Sequence, residues 1–407
     1  MENLRRLRAF VAVCGCGSAA RAAGQVHLSQ PAVSAAIAAL ERAAGTPLLV
    51  RGNRGMTPTA AGERLARRIR AALQHLDATA VGLLGDGPAA QRWPRTVTAV
   101  QLKALRALAD TRGMSSAARS LGISEPSVHR AMRGLEACVG LPLWRWAGSS
   151  LELSREALLL ARAANLHASE LRMGFEEVRE LHGELDGLIL VGALPMPRSA
   201  WLPDALTSTL REFSRARVEV MDGPYENQLT ALRDGRIDAL LGALRLPGPG
   251  SDITQEALFE DPLSIVVRAR HPLTAPAACP SGKPTSAQLR SLSWLLPPRP
   301  TPARQVFEQF MAAQGAGPAQ CAVECNSLVT IRAMLLQSDY AALISAKQIE
   351  FERQVGKLRV LGPPIPGTAH PIGLAMRRNF RPTSLFSRFL ANVRRHAAVF
   401  VDPAQTN

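Results

Sequence analysis

The stretch Leu28-Ser-Gln-Pro-Ala-Val-Ser34 returns ninety-five positions later as Ile123-Ser-Glu-Pro-Ser-Val-His129. The same shift carries Leu7 onto Leu102, Ala22-Ala23 onto Ala117-Ala118, and Leu40-Glu41 onto Leu135-Glu136. It also carries Gly45-Thr-Pro-Leu48 onto Gly140-Leu-Pro-Leu143, and no gap is needed anywhere. Matches held in constant register mean a duplicated unit. Each unit reads as three helices followed by a two-strand wing. Leu4, Leu7, Phe10 and Val11 recur at helical spacing, as do Leu102, Leu105 and Leu108. Ser29 is suited to cap the third helix, with Pro31 in its first turn, where no intrahelical N–H is required. That helix buries Val33, Ile37 and Leu40, and Gly45 ends it in the left-handed cap conformation. Ser124, Pro126, Val128, Met132, Leu135 and Gly140 repeat the pattern.

With Arg51 and Thr57-Pro-Thr-Ala-Ala-Gly62, the first unit resembles the winged helix-turn-helix of LysR-type transcriptional regulators. The resemblance implies that the helix opening at Ser29 is the recognition helix and that Arg51 to Arg54 lead into the wing. A helix N-terminus entering the major groove presents polar side chains to base edges, while backbone amides meet phosphate. The candidate DNA contacts in the first unit are Ser29, Gln30, Pro31, Ser34, Arg51 and Arg54. Ala35 stands where the family usually has arginine. In the second unit the candidates are Ser124, Glu125, Ser127, His129, Arg130 and Arg133. There Glu125 replaces the family glutamine and Trp146 the wing arginine. Arginine can read guanine and glutamine adenine, whereas a glutamate repels phosphate but can accept from cytosine. His129 is either a DNA contact or a surface residue.

The chain has 407 residues, with 48 Lys and Arg against 33 Asp and Glu, a net charge of +15. That length implies two to four domains. Apolar residues make up 47% and aromatics only 4%, which excludes a disordered chain and a β-aromatic scaffold. The basic excess is concentrated at the front: residues 1–95 hold 13 basic and 5 acidic side chains, and residues 96–182 hold 11 and 9. Such a skew suits phosphate attraction. Arg64, Arg67, Arg68 and Arg70 either add to it or form a solvated helix face. No apolar run reaches the roughly 18–20 residues that cross a bilayer. The apolar stretch Ala9–Val13 is too short for a secretory signal. A cytoplasmic protein with no membrane partner is expected.

Beyond each wing a longer helix is predicted, from about Thr59 to Leu84 and from Ser154 to Leu181. Leu65, Ile69, Leu73, Leu76, Ala80 and Leu83 form an apolar stripe; its repeat reads Leu160, Ala164, Ala168, Leu171, Phe175 and Val178. Such seams pair helices. The family resemblance implies antiparallel pairing of linker helices between two chains. Here one chain carries both helices, so an intrachain pseudo-dimer and an ordinary homodimer or tetramer are both open. In the pseudo-dimer Leu65 falls near Val178, Ile69 near Phe175 and Leu73 near Leu171. Gly85 to Pro94 reads as the connecting linker.

From Gly187 strands alternate with helices: Leu188–Val191, Val218–Val220, Leu263–Val267, Trp294–Leu296, Ala341–Ser345 and Ile372–Met376 read as strands. The alternation predicts α/β sheets in two lobes with ligand space between them. Gly192-Ala193, Leu258-Phe-Glu-Asp-Pro262 and His271-Pro272 make this part similar to the family's effector-binding domain, built like type 2 periplasmic binding proteins. The resemblance places the effector in the interlobe cleft. Leu194, Met196, Arg198, Ser199, Thr301, Arg304, Asn326 and Ser327 are the expected contacts. Ser199 is read as a helix start whose amides favour an anion, and Arg198 and Arg304 point to a carboxylate or phosphate. Leu194 and Met196 stand where the family often has Ser or Thr.

Six scattered cysteines make no disulfide framework and no paired zinc clusters, and buried thiols are favoured over a redox sensor. No phosphate loop, zinc-protease helix or nucleophile elbow appears, so no cofactor, metal or catalytic residue is expected and the chain is not read as an enzyme. The expected organisation is winged helix-turn-helix 1–58, linker helix 59–84, linker 85–95, winged helix-turn-helix 96–153, linker helix 154–182, effector domain 183–400 and tail 401–407. The function so read is a LysR-type regulator binding double-stranded DNA and a small-molecule effector. RNA polymerase is a partner if it activates, and a homo-oligomer is left open. The alternative is a constitutive architectural DNA-binding protein with no ligand. A solute-binding protein leaves the repeated units unexplained.

Overall fold

A computed structural model describes residues 3–52, 55–85, 87–148, 150–299 and 301–401. The first unit is α1 (Leu4–Cys16), α2 (Ala19–Val26), α3 (Gln30–Ala44), β1 (Leu49–Gly52), β2 (Gly55–Pro58) and the long α4 (Ala60–Leu84). A short α5 (Pro88–Thr96) follows. The second unit repeats the order with α6 (Ala99–Thr111), α7 (Met114–Leu121), α8 (Glu125–Val139), β3 (Trp144–Ala147), β4 (Ser150–Leu153) and α9 (Arg155–Glu180).

Shared sequence positions do the same physical work in both units. Ser29 caps α3 by accepting from the Ala32 N–H at 3.3 Å. Gly45 and Gly140 end α3 and α8 with φ of 68° and 69°, a conformation that favours glycine. Glu41 accepts from the Leu48 N–H at 3.0 Å, and Glu136 from the Leu143 N–H at 2.9 Å, so each carboxylate fixes the entry to its wing. The ladders match as well, with Arg51 opposite Met56 and Trp146 opposite Leu151.

The two long helices pack against each other within the chain. At 25 and 26 residues each is about 38 Å long. Leu65, Ile69, Leu73 and Leu76 of α4 are buried, as are Leu160, Ala164, Leu171 and Val178 of α9. Burying one such leucine or isoleucine contributes about 1.5–3 kcal/mol, so the seam outweighs any single ion pair along it. The helices run antiparallel: Leu65 lies against Gly174, while Ala72 meets His167, whose Nδ1 is 2.9 Å from the Ala72 carbonyl oxygen. Ala72 and His167 are repeat equivalents, and a residue touching its own equivalent marks a pseudo-two-fold axis.

That register is about one turn from the expected pairing of Leu65 with Val178. The cause is Gly174: a Cβ there would sit 2.9 Å from Arg68 Cβ and 3.1 Å from Leu65 Cδ1. A glycine gap, not the leucine stripe, sets the closest approach. A second difference is the connection. Residues expected as an irregular linker form α5, with Pro88 in its first turn and Trp93 buried.

The remaining chain forms β5 (Leu188–Ala193), α10 (Pro195–Ser199), α11 (Leu202–Glu212), β6 (Arg217–Met221), α12 (Tyr225–Arg233), β7 (Ala239–Ala243), β8 (Ile253–Asp261) and β9 (Leu263–Arg268). Then come α13 (Ser286–Ser291), β10 (Ser293–Leu296), α14 (Pro302–Ala313), β11 (Gln320–Glu324), α15 (Leu328–Gln337) and β12 (Tyr340–Ser345). The last elements are α16 (Glu350–Gln354), β13 (Leu358–Leu361), β14 (His370–Arg377) and α17 (Ser384–Ala397). Two five-stranded mixed sheets result, ordered β6-β5-β7-β14-β8 and β11-β10-β12-β9-β13. The chain crosses from the first lobe to the second at Pro262 and returns between β13 and β14.

Candidate DNA interface and effector cleft

Ser29, Gln30 and Pro31 are exposed at the N-terminus of α3, Ser34 is half-buried one turn on, and Arg51 projects from β1. Among the described residues no side-chain bond engages Gln30, Ser34 or Arg51, so these groups face outward with their donors and acceptors free. Ala35, also exposed, offers nothing to a base edge. Arg54 lies outside the described residues.

The second face is engaged with itself. The Ser115 hydroxyl donates to Glu125, Ser124 and Ser127 share a hydroxyl contact at 2.8 Å, and Arg130 reaches Ser127 at 3.4 Å. Arg133 donates to Glu136 at 3.0 Å, and its guanidinium stacks 4.9 Å over the Trp144 ring. His129 meets Trp144 edge-on at 5.2 Å. Ser124 occupies the cap position of α8 but makes no side-chain cap bond.

The candidate effector residues all follow the carboxyl ends of parallel strands. Leu194–Ser199 follow β5, Thr301–Arg304 follow β10, and Asn326-Ser327 follow β11. α10 packs on residues 346–349, which follow the carboxyl end of β12. The carboxyl ends of the two sheets therefore face each other, the position where α/β sheets bind ligands. The Lys347 ammonium reaches Asp261 at 3.2 Å and the Ser345 hydroxyl donates to it at 2.9 Å, tying the lobes beside the Pro262 crossing.

Not every expected contact has its side chain in the cleft. Met196 is buried in the first lobe's core with Ile189 and Trp201. Ser199 does not open a helix: it ends α10, and its hydroxyl donates to the Pro195 and Met196 carbonyls. The proline-led turn from Pro195 forms the short helix one step earlier than the reading placed it. Arg198 pairs with Asp222 at 2.6 Å. Arg304 is held by Glu308 at 2.9 Å, Glu324 at 3.0 Å and the Pro297 carbonyl. Thr301 caps α14 and Ser327 caps α15, while Asn326 is exposed.

Two ionic clusters join the effector domain to the linker helices. Asp238, almost fully buried before β7, accepts from Arg172 of α9 at 2.6 Å and from Arg377 of β14 at 3.1 Å. Arg172 also donates to Glu176 and to the Leu188 carbonyl, and Glu176 accepts from the Leu188 N–H at 3.0 Å. Burial pushes the Glu176 carboxyl above its ordinary value even with Arg172 beside it. In the other cluster Arg68, expected at the surface, is 2% exposed. It donates to Glu170 at 2.9 Å, to Glu177, and to the Arg381 carbonyl just before α17 at 2.7 Å. Arg68 is thus a junction between both linker helices and the effector domain, and neither a solvated charge nor a phosphate contact.

Sequence reasoning missed these clusters because their partners lie far apart in the chain. The aromatic cluster did carry a signal. Under the repeat shift Ser34, Ala38, Leu49 and Arg51 all change together, to His129, Arg133, Trp144 and Trp146. Burial pushes the Cys14 thiol up to about 11, away from the reactive thiolate that a redox sensor requires. The expectation of buried thiols holds fully for Cys279 alone, and Cys321, on the edge strand β11, is exposed.

Two winged helices joined by a linker seam and bolted to a two-lobed α/β domain define a DNA-binding regulator of the ligand-binding-domain type. Residues 4–63 and 100–158 each match the bacterial regulatory helix-turn-helix protein, lysR family. Residues 182–398 match the LysR substrate binding domain. The HTH-type transcriptional regulator GalR of Pseudomonas putida is 35% identical over 381 residues, 93% of each chain, a span too long to omit either winged unit. Full-length OxyR from Pseudomonas aeruginosa shares the fold at 20% identity with a TM-score of 0.53, over 74% of this chain and 94% of that one. CbnR complexed with its target DNA does so at 22% and 0.50, over 73% and 98%. The chain belongs to the LysR family: it is a DNA-binding transcriptional regulator with a LysR-type substrate-binding domain.

Proposed function

We propose that a single chain is a two-headed DNA reader, with its two winged units arranged as a pseudo-dimer on two unlike half-sites. The observation that carries this reading is the antiparallel pairing of α4 with α9 inside one polypeptide, about an axis through Ala72 and His167. Linker pairing that would otherwise recruit a second chain is satisfied internally. The second unit then operates at an effective concentration in the millimolar range. Ser29, Gln30, Pro31, Ser34, Arg51 and Arg54 serve the first half-site; Ser124, Glu125, Ser127, His129, Arg130 and Arg133 serve the second.

A small anionic effector binds between the lobes against Leu194, Thr301, Asn326 and Ser327, with Arg198 and Arg304 supplying charge. Those guanidiniums are held by Asp222, Glu308 and Glu324, so a ligand carboxylate or phosphate competes with acidic side chains already in place. Differential affinity for two lobe arrangements shifts their populations. Because Asp238 and Arg172 fasten the first lobe to α9, that shift reaches the seam and the spacing of the two heads.

The protein catalyses no reaction, needs no cofactor and works in the cytoplasm, with RNA polymerase as a further partner where it activates. Oligomers, with α4 and α9 already paired, form elsewhere. Val329 and Leu336 of α15, Phe351 of α16 and Val355 just after it are exposed apolar groups suited to a second copy. Footprinting tests the central point: two dissimilar protected half-sites are expected, and one symmetric pair overturns it. A thermal-shift screen of carboxylates and phosphates tests the cleft, a tight ligand raising the midpoint.

A further inference from the structure

The second wing carries a side chain with no counterpart in the first. β3 reads Trp144-Arg-Trp-Ala147 where β1 reads Leu49-Val-Arg-Gly52, and in the matched ladders Trp146 stands where Arg51 stands. Tryptophan is a large ring that folding normally covers, yet Trp146 is 55% exposed. It is also held in place. Its ring meets Trp144 edge-on at 6.3 Å; Trp144 in turn meets His129 of α8 and lies under the Arg133 guanidinium. A continuous stack therefore runs from the outer face of the recognition helix to the wing, and Trp146 is its outermost member.

The residue it replaces does different work. A guanidinium at the position of Arg51 holds phosphate or enters a narrow minor groove, and loses strength as salt rises. An indole has a flat apolar face, which a stacked duplex cannot satisfy from outside. That face is satisfied when the ring lies along deoxyribose or enters between partly unstacked base pairs, as apolar wedges do. Of the nearby arginines, Arg133 lies over Trp144 while paired with Glu136, and Arg130 is exposed on α8; Arg145, on the opposite face of β3, is paired with Glu152.

We propose that Trp146 is a minor-groove wedge, inserting at a base step beside the second half-site and bending the duplex there. The inference rests on the reading that both units engage DNA. It adds to the base contacts of the second unit's helix face a further means of selection: preference by deformability, with pyrimidine–purine steps as the cheapest to open.

The test uses the full chain and duplexes it selects from a random library, with Trp146→Ala, Trp146→Phe and Trp146→Arg compared for affinity, bend angle and hydroxyl-radical protection. Trp146→Ala is expected to weaken binding about tenfold, the size of one aromatic–base contact. It loses the bend and the minor-groove protection beside the second half-site, leaving the first half-site protected as before. Trp146→Phe retains most of both. Trp146→Arg restores affinity without the bend and steepens the salt dependence. An unchanged melting temperature for Trp146→Ala separates these effects from misfolding, and Trp146→Phe supplies the folded control. Unlike half-sites bound and bent equally by wild type and Trp146→Ala overturn the wedge alone. Selected duplexes carrying one half-site, indifferent to the second unit, overturn the two-headed reading as well. Loss of activation by RNA polymerase with bending intact makes Trp146 a protein contact and also overturns the proposal.

Discussion

The two winged units share a backbone and differ in what they do with its surface. Both keep a serine at the recognition-helix start, a proline in its first turn, a left-handed glycine after its end and a glutamate anchoring the wing. On that common frame the first unit presents uncommitted polar groups, whereas the second binds its own to one another and adds an aromatic stack. Duplication preserves the residues that fold the unit because each answers a local backbone requirement. The reading face answers only to its ligand, and there the copies have parted. The linker helices show the same split: Arg68 of α4 pairs with Glu170 and Glu177, whereas its repeat equivalent on α9 is Ala163.

Four pairs of repeat-equivalent positions turn this comparison into measurements. The largest effect is expected at Arg68, whose equivalent is Ala163. Arg68→Ala leaves Glu170 and Glu177 without their buried partner, costing about 3–5 kcal/mol in thermal or denaturant unfolding. A loss below about 1 kcal/mol contradicts its role as a junction.

His167, equivalent to Ala72, gives the next. Burial pushes its imidazole down to about 4, from an ordinary 6.5. Between those values the unfolded chain binds a proton that the folded chain excludes. The stability is complete above pH 6.5 and falls as pH drops toward 4, by about 3 kcal/mol. Unfolding across that range is expected to show the slope in the wild type, and His167→Gln to flatten it.

A smaller effect separates the reading faces. Arg130→Ala, which installs the residue found at Ala35, is expected to cost about 1–3 kcal/mol and relax preference at one base of the second half-site. Equal weakening on every sequence makes Arg130 a phosphate contact. The smallest concerns the caps. Ser29→Ala removes a bonded cap and costs about 1 kcal/mol of stability, while Ser124→Ala, whose hydroxyl faces Ser127, costs less.

Much of this was legible in the residues. Repeat, caps, wings and linker helices follow from turn chemistry and 3.6-residue periodicity, which act locally. So do β5, β9, β10 and β12, where apolar residues run together. β11 was not legible because it is an exposed edge strand, nor was β8, whose nine residues mix buried and exposed positions without clean alternation. The turn residues Gly85, Gly87 and Pro88 hid α5, whose single buried anchor is Trp93. Arg68 read as a surface charge because its partners lie more than a hundred positions away. In the cleft, the strand ends were readable but the side-chain directions were not: Met196 turns inward, and Arg304 is already held by carboxylates.

Stoichiometry on DNA tests the two-headed chain most directly. Native mass spectrometry of the full-length protein on a duplex with one pair of half-sites is expected to find a single polypeptide per duplex, and two on a duplex with two pairs. Two polypeptides on the single pair, each contributing one winged unit, contradict the account.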